Sequence, residues 1–124
     1  MLLALHFGLL RGDDPRARSH VDAIAQRLRL GEHLLRRYDV PDDFGETHAA
    51  FTVVSFWLAE ALHMVGRVDE ARALFEHLLS LHNGLGLYAE DILVGSGQQA
   101  GNFPQTYSHV GLINTAFRLS RPWD

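Results

Sequence analysis

Apolar residues recur along this chain at helical spacing, and two kinds of apolar segment emerge. Residues 2–10 (LLALHFGLL) and 49–62 (AAFTVVSFWLAEAL) are apolar on nearly every face. A helix of that kind is covered on all sides. The β-branched Val53 and Val54 leave a strand open over part of the second, but its length and its Leu-Ala-Glu-Ala-Leu ending favour helix. The other segments are amphipathic. Asp13 or Asp14 can cap a helix with Pro15 in its first turn; Val21, Ile24, Ala25 and Leu28 form its stripe, and Gly31 stops it. The stretch from Tyr38 to His48, with Pro41 and Gly45, reads as loop.

Gly66 separates residues 49–62 from a helix predicted from Val68 to Leu81, with Val68, Ala71, Leu74, Phe75 and Leu78 on one face. Asn83-Gly84 ends it and a glycine-rich loop follows. A last helix, capped by Asn102 with Pro104 in its first turn, carries Tyr107, Val110, Gly111, Ile113, Asn114 and Phe117 and ends at Arg121-Pro122. Glu-His-Leu-Leu occurs at 32–35 and again at 76–79, which hints at repeated helical hairpins. The pattern predicts an all-α architecture in two layers, inner helices and outer ones. It also raises a problem of size: four or five helices can hardly surround two wholly apolar ones. Either copies of the chain assemble, or the chain is part of a larger helical domain.

Composition narrows the function more than the fold. The chain has 124 residues, 47% hydrophobic and 21% charged, the balance of one globular domain. A net charge of −4 gives no electrostatic case for nucleic acid or an anionic membrane. The absence of cysteine excludes disulfides, thiolate nucleophiles and cysteine zinc sites. MLLALHFGLL lacks the basic start and small-residue exit of a signal peptide, and no apolar run reaches membrane-spanning length, so the expectation is a soluble, cytoplasmic protein.

Eight histidines are scattered without a ligand spacing; His77 and His82 are five apart and there is no His-Glu-x-x-His, so no metal is expected. Ser108-His109 diverge on a helix, and Gly95-Ser96-Gly97 lacks the Gly-Lys-Ser/Thr of a phosphate loop. In GLYAED, residues 86–91, Glu90 and Asp91 leave two readings open: solvated loop or helix-start acids, or a general base that activates water. Adjacent in sequence, their side chains are expected to point apart. Arg37-Tyr38 reads either as a cation at a helix C-terminus or as an anion or sugar clamp.

The order of DDPRARSHVDAI, RRYDVPDD, AAFTVVSFWLAEAL, GRVDEARALFEHLLSLHNGLGLYAED and GNFPQTYSHVGLINTAF resembles the C-terminal part of family 15 glycoside hydrolases, the glucoamylase, glucodextranase and bacterial trehalase family. The likeness runs from about residue 9 to 119. It implies an (α/α)6 toroid, six inner helices ringed by six outer ones. Residues 1–124 would be the C-terminal portion of that catalytic domain, about four to five of its twelve helices, which answers the size problem. It also implies inverting hydrolysis of an α-glucosidic bond in an oligosaccharide or disaccharide, glucoamylase-type or alternatively α,α-trehalase, with no cofactor. By resemblance Glu90 is the general base, Arg37 and Tyr38 contact sugar, Phe51 is an aromatic at the start of a buried helix, and Gln105 lines the pocket. The family's general acid lies upstream, and no Asp or Glu here matches it. The chain alone is therefore expected to be inactive, pairing with the rest of the domain or self-associating through uncovered inner helices. A non-enzymatic helical module or an inactive remnant is the alternative.

Overall fold

The computed structural model describes residues 1–40 and 48–120. Most of the loop expected between Tyr38 and His48, and the stop expected at Arg121-Pro122, lie outside them.

Helix α1 (Leu3–His6) is a single turn, α2 is Pro15–Leu28, α3 Thr52–Met64, α4 Val68–Leu79 and α5 Thr106–Leu119. Asp14 is the residue that caps α2: its carboxylate accepts the Arg16 backbone N–H at 2.8 Å, and Pro15 opens the helix. Gly66, at φ +81°, turns the chain between α3 and α4.

Helix α3 is the core. Its buried residues cover every face, from Val53, Val54 and Phe56 to Leu58, Ala59 and Leu62. It packs mainly on α5 and α4, with α1 and α2 completing the cover. Burying each large side chain stabilises by about 1.5–3 kcal/mol. The contact with α5 is close because Gly111 has no side chain: a Cβ there would come within 2.9 Å of the Phe56 Cβ. Among the described residues, one charge enters this core. Glu60, 2% exposed, accepts a hydrogen bond from Arg118 Nε at 3.1 Å and has His6 Nε2 3.5 Å away.

Two expectations need correction. The architecture is not all-α: β1 (Arg29–Leu30) and β2 (Leu34–Leu35) form a hairpin, and β3 (Ala49–Phe51), β4 (Asp91–Leu93) and β5 (Gln98–Ala100) form an antiparallel sheet. Strands this short show no alternation in the sequence. The helical layers fit part of a helical ring, but the described elements do not themselves show one. The two Glu-His-Leu-Leu copies are not equivalent either. One ends α4; the other enters β2 after Gly31 turns the chain at φ +67°.

The size problem also changes form. Segment 2–10 buries Leu2 and Leu5 but leaves Phe7 and Leu9 exposed, so of the two apolar segments α3 is the one buried along most of its length by its own chain, with Trp57, His63 and Met64 partly open. A run of uncovered apolar side chains also lies on α5. Tyr107, Val110, Ile113 and Phe117 are 48–75% exposed and follow one another at helical spacing. No helix among the described residues is long and apolar enough to cross a membrane.

Candidate active site

The three-stranded sheet brings the candidate residues together at the N-terminal end of α3. In its register Phe51 lies opposite Asp91, and Asp91 opposite Ala100. The ladder continues past the sheet on both sides: Thr52 N donates to the Glu90 carbonyl at 3.0 Å, and Glu90 N donates to the Asn102 carbonyl at 2.9 Å. Glu90's carbonyl thus satisfies one of the free N–H groups at the start of α3.

The approach to Glu90 is anchored from below. Tyr88 is fully buried, its hydroxyl donates to the Leu78 carbonyl at 2.9 Å, and its ring meets Phe56 edge-on. Burial pushes the Tyr88 hydroxyl up to about 12. The Gln99 side chain ties down the same loop, accepting from Ala89 N and donating to the Leu87 carbonyl at 2.8 Å, while Ser108 Oγ donates to the Ala89 carbonyl at 2.9 Å.

Glu90 itself is half-buried. Asn102 Nδ2 donates to its Oε2 at 2.8 Å, and Asn102 N reaches the same oxygen at 3.4 Å. Asn102 is therefore not the cap of α5; that position belongs to Gln105, whose side chain makes no capping bond.

The two acids do not point apart. From the place where Gly101 would carry a Cβ, Asp91 Oδ2 is 3.1 Å away and Glu90 Oε2 3.3 Å. Glu90 sits in a bend before β4 and not in the strand, so the alternation that separates neighbouring side chains does not apply to it. Burial, then the charge of Glu90, raises the Asp91 carboxyl above its ordinary range, with Arg37 pulling it back.

Arg37 and Tyr38 follow β2, not a helix, so no helix dipole explains the cation. The Arg37 guanidinium lies 4.9 Å from the centre of the Phe51 ring. Both, with Tyr38, line a groove of about 580 Å³ that runs over Val53, Trp57, Tyr107 and Val110. Phe51 links this groove to the sheet: its strand partner is Asp91, whose carboxyl feels the charges of Glu90 and Arg37, although Glu90 and Asp91 are not among the groove's lining residues. Gln105 stands apart from that groove: its backbone N donates to the Tyr88 carbonyl at 2.9 Å, two residues before Glu90. Among the described residues, no group of three or more His, Asp or Glu is arranged to hold a metal.

Residues 13–117 match the family described as glycosyl hydrolases family 15. A trehalase of Mycolicibacterium smegmatis is 41% identical over 124 residues, covering 98% of this chain and 18% of the relative. A trehalase of Mycobacterium tuberculosis is 41% identical over 123 residues, with the same coverage. A trehalase of Thermoplasma acidophilum is 35% identical over 112 residues, covering 90% of this chain and 19% of the relative. The chain thus spans about a fifth of the length of the curated relatives it matches. No solved structure matches it. The match over residues 13–117, which includes the loop of Glu90 and the strands that hold it, makes this chain a member of glycosyl hydrolase family 15.

Proposed function

We propose that this chain is the C-terminal portion of the catalytic domain of an inverting α-glucoside hydrolase and supplies its general base, Glu90. The observation that carries the reading is the carboxylate's setting: half-buried, with the hydrogen bonds it accepts from described residues ending on Oε2. Oε1 is then the oxygen that takes a proton from water as the water's oxygen attacks the anomeric carbon. The leaving oxygen receives its proton from a carboxylic acid on the opposite side of the bond.

Asp91 is not that acid. Its Oδ2 and Glu90 Oε2 converge near Gly101 more closely than the roughly 6.5–9.5 Å an inverting pair needs to admit water. The acid comes from a part of the domain outside this chain, so the chain alone is expected to be inactive. Arg37, Tyr38 and Phe51 form a wall suited to a sugar: a fork of donors beside aromatic faces. Gln105, whose backbone N–H holds the Tyr88 carbonyl two residues before Glu90, is the further pocket residue of this reading.

The first substrate expectation is a glucoamylase-type oligosaccharide. The relatives' names favour the disaccharide alternative, α,α-trehalose. The deciding experiment is Glu90→Gln in the full-length enzyme, assayed on trehalose and on a malto-oligosaccharide. Loss of hydrolysis with an unchanged melting temperature supports the reading, and the substrate lost identifies the specificity. Near-normal turnover rules it out. The apolar stripe of α5 favours a second, non-enzymatic reading, a helical module that self-associates. Light scattering on the 124-residue chain tests it, since a monomer at all concentrations excludes self-association.

A further inference from the structure

We propose that Asn102 is the positioning residue for Glu90 and that it fixes Oε1 as the basic oxygen. The proposal rests on the assignment of Glu90 as general base and says which atom of it works and what aims it. Asn102 grips Glu90 at both ends: its carbonyl accepts the Glu90 backbone N–H at 2.9 Å, and its Nδ2 donates to Oε2 at 2.8 Å. The orientation of the amide follows from chemistry, because an Asn oxygen facing a carboxylate oxygen would set acceptor against acceptor. An amide NH2 can only donate, so Oε2 is occupied by a proton that does not move. The mobile proton has Oε1.

The neighbouring Gly101 belongs to the same device. Its φ is +76°, and a Cβ there would sit 3.2 Å from Glu90 Cβ and 3.3 Å from Oε2, tighter than ordinary packing. Any side chain would press on the carboxylate that Asn102 holds. The Asn102 side chain does not cap α5, which starts at Gln105 without a side-chain cap.

Two experiments test the assignment. In the full-length enzyme, Asn102→Ala lowers kcat about 10-fold to 100-fold, with KM within about twofold, because a base misplaced by about an ångström fails in the transition state and not in substrate binding. Asn102→Asp keeps the shape but opposes two carboxylates; it is the worse variant and moves the acidic limb of the kcat/KM profile to higher pH. Asn102→Gln, which keeps a donor on a longer arm, recovers part of the loss. An unchanged kcat in Asn102→Ala, or a raised KM with kcat intact, overturns the proposal.

In the 124-residue chain, the side-chain amide signals of Asn102 in a nitrogen–proton correlation spectrum shift on Glu90→Gln more than on Asp91→Asn. No difference between the two also overturns it. The spectrum does not depend on hydrolysis, so the two assignments fail separately: an active Glu90→Gln enzyme removes the base, whereas an unaffected Asn102→Ala enzyme removes only its positioner.

Discussion

Helix α3 and the sheet β3–β4–β5 meet at Phe51-Thr52, yet they are built on opposite terms. The helix is largely enclosed by apolar contacts, and the buried polar side chains where it meets α5 serve packing: Thr115 Oγ1 of α5 donates to the Gly111 carbonyl at 2.7 Å, and Glu60 of α3 is met by Arg118 of α5. The sheet is short, half-buried and held by backbone ladder bonds and the amides of Gln99 and Asn102. Apolar burial is non-directional and tolerates small shifts. Hydrogen bonds are directional and hold a carboxylate in one orientation. Stability is therefore concentrated in the helix, and the orientation of the Glu90 carboxylate is set in the sheet.

Substitutions on the two sides have different signatures. The largest effect is expected from Glu90→Gln in the full-length enzyme: a loss of about 10²–10⁴-fold in kcat, the usual worth of a general base, with little change in melting temperature. A large drop in stability would break the division. Phe56→Ala, at the centre of α3, is its counterpart. It costs about 3–5 kcal/mol of unfolding free energy in denaturant titration. A cost under about 1 kcal/mol would mean that the helix is not the core.

Gly111→Ala sharpens the comparison at the α3–α5 contact. Helix propensity alone favours Ala by about 1 kcal/mol. Overpacking against Phe56 costs about 1–3 kcal/mol, so the net expectation is destabilisation of about 1 kcal/mol, and a stabilised variant would show that the helices can separate without penalty.

Asp91→Asn is the smallest effect and the most specific to the sheet. The folded chain holds the Asp91 proton more tightly than the unfolded chain does. Its favourable contribution is present at low pH and is lost as pH rises through the raised pKa. The asparagine variant, which carries no charge to bury, has the higher melting temperature at pH 7. The difference closes below about pH 4, the ordinary aspartate range. A difference that persisted at low pH would assign the effect to packing instead of charge.

The helical half was legible because its signals are local. Asp14 with Pro15, the all-round apolar stretch that became α3 and the stripe of α4 state their roles within a turn or two of sequence. The sheet was not, because its strands are defined by partners up to some forty residues away in sequence. Residue type misplaced Asn102: an Asn shortly before a helix suits a cap, but the ladder from Glu90 claims it first. Arg37 against Phe51 follows from a crossing of the chain that spacing does not encode. Glu90 stood out only through the family resemblance, since by residue type it was one of two equal acids.

The bonds that hold Glu90 have a further consequence. Thr52 behind it, Gln99 beside its approach and Asn102 in front all come from the described chain itself. Glu90 and the described groups that hold it therefore lie on one continuous stretch of chain, from β3 to the first turn of α5. Residues 49–108 keep strand β3, the ladder and the bonds of Gln105 and Ser108 together, so a graft of that segment into a related scaffold is expected to bring the orientation of the Glu90 carboxylate with it, leaving the recipient to contribute the proposed acid and the sugar contacts.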